Sequence, residues 1–521
     1  MTTQIQPPSS IRDDRTYPPE INLALAALLD ELAERGIRYC LWKSNIRLAA
    51  ALASKTDLDL LVNREQADQF REIAGRHRLK PMVPPAGGTF SGVEHFLGFD
   101  RGSGDLFHLH VHYKLVLGES YIKNYRLPLE REFLHSTRFL QGVPIPRAEL
   151  ELSILAVRAL LKYRARDVLK DLLGIRSPGL PEEIREEIGW LLDQTTIEDV
   201  GTTVQALRGV MPPDPICDFL DIATRAPRSA YTLFRLRGRL RRAVRPFQRQ
   251  GRLRATIKYY RETWRRRRRL RRRPLNHRMT PAGGGLALAV VGADGSGKST
   301  VTHAVACWLS WKLEVRTYYM GSKAPSRLSR CLYVAFRALR RGHRTVSQRV
   351  MARSRVTQAI GAARDVMLAL HCLAIARDRA RRYHIGRGDT IAGRVVIFDR
   401  FPTESLSSRR EHRLLDGPQI SAALPGSMGR VTRALASAEE RMYRRFKLPD
   451  CLIVLQVTPK TSAIRKPDHR RDVLVAKSRA AGEVATLAES SGLPVNVIRI
   501  DANRPLDDVL LDIKGRLWDV I

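Results

Sequence analysis

Gly292-Ala293-Asp294-Gly295-Ser296-Gly297-Lys298-Ser299-Thr300 follows directly on the apolar run Leu286–Val291. The order is a buried strand, a glycine-rich turn of the form G-x-x-x-x-G-K-S, and a helix start. Glycines at 292, 295 and 297 let successive backbone N–H groups point into one concavity. That nest and the positive end of the following helix hold phosphate oxygens. Ser296 and Thr300 belong to the same cradle, Lys298 reaches the β- and γ-phosphates, and the Ser299 hydroxyl ligates Mg²⁺. The implied cofactors are ATP and Mg²⁺.

Working outward, apolar strands recur between helical stretches: Leu286–Val291, Val315–Met320, Val395–Phe398, Leu452–Val457 and Val495–Ile500. β-Branched strands alternating with helices predict a parallel α/β sheet. The third strand delivers Asp399 and Arg400 at its C-terminal end, the edge where such sheets bind ligands. A carboxylate there can orient Mg²⁺, and an arginine can hold an acceptor phosphate bidentately. Arg379 sits on a helix upstream, and a basic segment, Arg465 to Arg471, follows the fourth strand.

Together these residues resemble the thymidylate kinase family over roughly residues 286–521. The resemblance implies a nucleoside monophosphate kinase-like P-loop domain. Lys298, Asp399 and Arg400 would be catalytic, with Ser299 and Asp399 on the metal side. Asp294, Asp378, Arg379 and Arg400 would face the acceptor, and Arg465, Arg470 and Arg471 would form a lid over ATP. One departure concerns specificity. Asp399-Arg400-Phe401 is followed by Pro402-Thr403-Glu404-Ser405-Leu406-Ser407-Ser408, without the glutamine that helps the family read thymine. The expected acceptor is therefore a nucleotide or another phosphorylated small molecule, such as a sugar phosphate.

A second constellation lies near the N-terminus: Trp42-Lys43-Ser44-Asn45, then Thr56-Asp57-Leu58-Asp59-Leu60. Alternation on a strand puts both carboxylates on one face. Two such carboxylates can hold Mg²⁺ with triphosphate oxygens, and Ser44 can contact the triphosphate. This resembles the nucleotidyltransferase superfamily over roughly residues 21–145, an α+β domain with a nucleotide site at Ser44, Asp57 and Asp59. The superfamily's third carboxylate has no counterpart on Leu106–Leu115, whose alternating face carries His108, His110 and His112. Those imidazoles fit either a transition-metal site or a polar strand face.

The 521-residue chain has a formal net charge of +37. About half of that excess lies between Arg235 and Arg278, with 20 Lys/Arg against one acid, Glu262. Such a stretch suits an anionic membrane surface, nucleic acid, or a solvated linker. Leu236, Leu240, Val244 and Phe247 fall at helical intervals, as in an amphipathic basic helix, and no nucleic-acid fold is recognised. The resulting plan is a disordered leader over 1–20, a nucleotidyltransferase-like domain over 21–145 and a helical domain over 146–234. An Arg-rich linker over 235–285 and the P-loop domain over 286–521 complete it. Six scattered cysteines without C-x-x-C argue against a disulfide framework and a zinc ribbon. The longest apolar run, Val366–Ala376, is too short to span a bilayer, so the expected location is cytoplasmic, with peripheral membrane contact through 235–278. The expected function is phosphoryl transfer, the alternative being a nucleotide-binding scaffold held at a membrane.

Overall fold

In the computed structural model the chain forms two units, Met1–His277 and Arg278–Ile521. The structure describes residues 16–85, 88–119, 122–163, 168, 180–224, 230–272, 278–322, 324–349, 354–404, 406, 415–424 and 428–521. Most of the expected leader, residues 164–167 and 169–179 of the expected helical domain, and Ser405, Ser407 and Ser408 lie outside the described residues.

The second unit is built on five parallel strands. They are β6 (Leu286–Gly292), β7 (Val315–Tyr319), β8 (Val395–Asp399), β9 (Cys451–Gln456) and β10 (Asn496–Asp501), in the order β7-β8-β6-β9-β10. The central strands β6, β8 and β9 are almost wholly buried, as near-continuous apolar runs require between helical layers. Helices Lys298–Leu309, Arg355–Ile391, Arg430–Arg444, Arg471–Ser490 and Leu506–Val520 connect and flank them. In register, Val290 and Tyr319 both pair with Asp399, so the strands end together at one edge. Of Gly283–Gly285, just before β6, only Gly285 is closely approached. A Cβ on Gly285 would stand 2.1 Å from the Thr390 carbonyl oxygen, so this glycine is required by close backbone approach.

Helix Arg355–Ile391 contains the shorter run Val366–Ala376. It is 37 residues long with a mean hydropathy of 1.6 over its most apolar window, of which 22% is buried. Among the described residues it is the one helix long and apolar enough to cross a membrane by length and composition. Its C-terminal half nevertheless buries Arg379, Tyr383, Gly386 and Asp389.

The first unit is a mixed α+β structure. Strands β1 (Tyr39–Leu41), β2 (Leu58–Val62), β3 (Lys80–Val83), β4 (Val93–Phe99) and β5 (Leu106–His112) follow the order β1-β2-β5-β4-β3. Only the β2–β5 pair is parallel among them. Helix Leu23–Glu34 buries Leu25, Leu28, Leu29 and Leu32, one face at helical spacing, and Asn22 caps it through Leu25 N.

A single hydrophobic cluster runs across residue 145. Trp42, Leu115 and Phe133 share it with helix Ala148–Lys162 and with Ile188, Val200, Phe219 and Leu236. The helical stretch is thus part of the same core as the strands before it. The Arg-rich segment is helical from Ala230 to Ala243 and from Arg252 to Arg272. Leu236, Leu240 and Val244 are buried in that core, with Phe247 packed against it. The stripe expected to meet a membrane is therefore a core-facing stripe: Arg239 and Arg242 are exposed, Arg237 is buried against Glu119 at 2.6 Å, and the apolar side closes the first unit.

Candidate functional site

At the C-terminal edge of β6 the chain turns through Gly295 (φ 80°) and Gly297 (φ 87°), both left-handed, and enters helix Lys298–Leu309. Gly292 is needed for a different reason. A Cβ there would lie 2.6 Å from Ser296 Oγ and 2.7 Å from the Leu455 carbonyl oxygen. Lys298 is buried and donates to the carbonyls of Gly292 (2.8 Å) and Ala293 (2.6 Å), bracing the loop. Burial, aided by the nearby Arg400 charge, lowers its pKa to about 8.

The Ser299 hydroxyl donates to Asp399 Oδ2 at 3.1 Å. Asp399 is itself buried, and its Oδ1 has no hydrogen-bond partner. Burial raises its pKa, against the opposing pull of Ser299, Arg400 and Lys298. A buried carboxylate oxygen without a partner and the hydroxyl beside it are oxygen ligands that fit a hard divalent cation. Ser299 and Asp399 would hold Mg²⁺ here.

Arg400 sits just past β8 in the left-handed region (φ 65°). Its guanidinium lies 3.6 Å from Asp294 Oδ1 and 3.8 Å from Asp416 Oδ2. Its Nε is buried without a partner. Arg379 is buried and donates to the Asp416 carbonyl (2.7 Å) and to Tyr443 Oη (2.5 Å), with Asp416 Oδ1 at 3.5 Å. Burial works against its charge, but Tyr443 and Asp416 outweigh it and the pKa rises. Asp294 takes an ion pair from Lys477 at 2.6 Å. Burial would raise its pKa, yet Lys477, Lys298 and Arg400 hold it below the usual carboxylate value. The structure thus brings Asp294, Lys298, Ser299, Arg379, Asp399 and Arg400 to one edge.

Of the other expected members, Arg465 reaches the loop and the rest stand elsewhere. Asp378 accepts from Ser326 N (2.8 Å) and Ser329 Oγ (2.7 Å), anchoring the start of helix Arg327–Arg349. Of the lid arginines, Arg465 donates to the carbonyls of Gly295 (3.3 Å) and Ala502 (2.9 Å). Arg470 pairs with its neighbour Asp472 and is exposed. Arg471 starts the next helix and borders an open cavity of about 590 Å³ with Lys460 and His469. Asp416 and Lys477 are the residues that sequence reasoning missed. Neither sits at a diagnostic spacing from the loop, and no periodic signal marks either.

In the first unit, parallel pairing of β2 with β5 sets Asp59 opposite His110. His110 Nδ1 lies 2.8 Å from Asp59 Oδ1, and Lys43 Nζ lies 2.8 Å from the same oxygen. His112 Nε2 is 3.6 Å away. Asp57 pairs instead with His108 Nδ1 at 2.9 Å. The carboxylates expected to hold Mg²⁺ are therefore held by side chains, with the Lys43 ammonium at the position a cation would take. The ligand atoms of Asp59, His110 and His112 lie within 4.8 Å of one another. Lys43 Nζ competes with a metal ion for Asp59 Oδ1 in that group. Burial depresses His110 to about 3 and His112 to about 4, leaving both imidazoles neutral at pH 7. Burial would raise Asp59, but Lys43 and the two imidazoles hold it well below the ordinary carboxylate value.

Ser44 is in the left-handed region (φ 60°), and its backbone N–H donates to Glu187 at 3.1 Å. It borders a cavity of about 330 Å³ with Arg47, Arg158, Lys162 and Tyr163. Burial, with the Arg158 and Lys43 charges, lowers Lys162 to about 8. Lys123 is lowered to about 8 in the same way, by burial and then Lys43. Glu183, Glu186 and Glu187 line the same cavity, with Arg47 3.7 Å from Glu183 and Arg158 3.8 Å from Glu187, so its cations are largely paired.

No protein-family model matches the chain. It is 25% identical over 233 residues to the uncharacterized ATP-binding protein YghR of Escherichia coli strain K12, covering 43% of this chain and 83% of that protein. It is 26% identical over 231 residues to the uncharacterized ATP-binding protein YghS of the same strain, covering 43% and 88%. Among solved structures, deoxyadenosine kinase from M. mycoides with bound dATP aligns over 44% of this chain and 98% of that one, at 12% identity and a TM-score of 0.27. The chain thus has distant sequence similarity to ATP-binding proteins.

Proposed function

We propose that the second unit is an ATP- and Mg²⁺-dependent phosphotransferase of the nucleoside monophosphate kinase type. Its acceptor would be a phosphorylated small molecule, a nucleotide or a sugar phosphate. The observation that carries this reading is the Ser299–Asp399 contact, with the unpartnered Asp399 Oδ1 beside Lys298. ATP binding also agrees with the names of the two E. coli relatives. When bound, Mg²⁺ supplies charge neutralisation between the transferring phosphate oxygens. The chain's own residues do the rest. The loop amides of Gly295 to Ser299 cradle phosphate, Lys298 places positive charge at the transferred group, and Arg379 and Arg400 orient an acceptor phosphate. Arg465 sits against the loop, where it can exclude water.

In the first unit, Ser44, Arg158 and Lys162 would hold a phosphorylated ligand. Asp59, paired with Lys43, would be a poor metal ligand there, which favours binding over nucleotidyl transfer.

The test incubates the full chain with Mg²⁺ and γ-labelled ATP against nucleoside monophosphates, sugars and sugar phosphates, with Lys298→Ala alongside. Label transfer to one acceptor, reduced about 10²-fold or more in Lys298→Ala, is the expected result. ATP binding with no transfer to any acceptor would replace this reading by the scaffold alternative.

A further inference from the structure

Helix Arg252–Arg272 spans 21 residues and carries eleven Lys/Arg against one acid, Glu262. It also carries large apolar side chains on its outside. Leu253 is 76% exposed, Ile257 58%, Tyr260 67% and Trp264 58%. The spacing is i, i+4, i+7, i+11, so at 3.6 residues per turn the four fall within an arc of about 60°. The opposite side is covered, with Ala255 buried and Tyr259, Glu262 and Thr263 half-buried. Basic side chains border the stripe. Arg254, Arg261, Arg265 and Arg268 are exposed on one flank, and Arg252 and Arg267 on the other. The Arg268 guanidinium stands 5.0 Å from the Trp264 ring centre.

We infer that this helix lies in the interface of an anionic lipid bilayer, with Leu253, Ile257, Tyr260 and Trp264 at the acyl boundary and the flanking arginines among the phosphate headgroups. Two properties must be met by whatever covers this face: a continuous apolar stripe and a dense positive border. Nucleic acid would neutralise the arginines and leave the stripe in water. A second copy of the helix would cover the stripe and bring two strongly positive borders together. An anionic bilayer satisfies both, and Trp and Tyr are side chains suited to that depth. The surface differs from the Leu236–Phe247 stripe, which the core has consumed. The inference does not depend on phosphoryl transfer in the second unit.

The experiment sediments the full chain with vesicles of phosphatidylcholine containing about 30% phosphatidylserine, and with phosphatidylcholine alone, at about 0.15 M salt. An Ile257→Ser/Trp264→Ser variant is run in parallel, its fold checked by circular dichroism and its ATP binding measured. The expected result is binding to the anionic vesicles that falls roughly tenfold or more on neutral vesicles and by a similar factor in the variant. ATP binding should stay unchanged. Three results would overturn the inference. The first is no binding to anionic vesicles. The second is binding that the variant retains in full, which would place the contact on charge alone or on another helix. The third is binding to duplex DNA with none to either vesicle.

Discussion

Ser299 and Asp399 stand 100 residues apart in the chain, and the serine hydroxyl donates to Asp399 Oδ2 at 3.1 Å. The contact joins the start of helix Lys298–Leu309 to the end of β8. It exists because β6 and β8 are parallel neighbours that end at the same level. Asp399→Asn removes the charge that offers Oδ1 to a cation while keeping the shape. Turnover should fall about 10²-fold or more, with a higher Mg²⁺ requirement. A Mg²⁺ titration of the initial rate checks it. An unchanged half-saturating Mg²⁺ concentration in Asp399→Asn would remove this residue from the metal side.

Asp416 lies between two guanidiniums, 3.5 Å from Arg379 and 3.8 Å from Arg400. Asp416→Asn keeps the backbone carbonyl that Arg379 uses but removes the charge shared by both arginines. The two should then lose their common orientation. The expected outcome is an acceptor KM raised roughly tenfold with the KM for ATP unchanged. Steady-state kinetics with each substrate varied would separate the two, and an equal rise in both would point to a general loss of structure.

Glu151 is buried on helix Ala148–Lys162 and accepts from Asn45 Nδ2 (2.8 Å) and Asn45 N (3.2 Å). Burial pushes its pKa up to about 7 from an ordinary 4.5, with the Asn45 hydrogen bonds opposing. A raised carboxyl binds its proton more tightly in the folded state. Its stabilising contribution is therefore present below pH 4.5 and is lost as pH rises to about 7, a change of about 3 kcal/mol. Urea unfolding of the wild type should show lower stability at pH 8 than at pH 5. Glu151→Gln should lack that part of the difference. The same drop in both proteins would assign the pH dependence to another group.

The phosphate loop was legible because its chemistry is local. Gly292 to Thr300 are contiguous, and the strand before them is a continuous apolar run. Asp399 and Arg400 were legible for the same reason, as the polar end of the apolar strand Val395–Phe398. The aligned strands between them were readable as a set, though not their order. The N-terminal carboxylates show where local reading stops. Asp59 lies on β2 and Asp57 just before it, and their neighbours come from a parallel strand about fifty residues away. The pairing of Asp59 with His110 puts imidazoles, together with Lys43, around the oxygen expected to meet a metal.

By itself the sequence determined the elements: a strand–loop–helix with lysine and serine at its tip, the apolar strands of a parallel sheet, and helices with apolar residues at intervals of three and four. Those follow from spacing along one chain, which backbone geometry converts directly into faces and turns. Only the tertiary structure decided which faces are covered. Leu236, Leu240 and Val244 share the helical spacing of Leu253, Ile257, Tyr260 and Trp264, yet the first set is buried and the second is exposed. It also decided that Asp416 stands between Arg379 and Arg400 and that Asp378 serves a helix start. The physical reason is the same in each case. Burial and ion pairing depend on distances between residues far apart in the chain, and those distances are fixed only when the strands take their order.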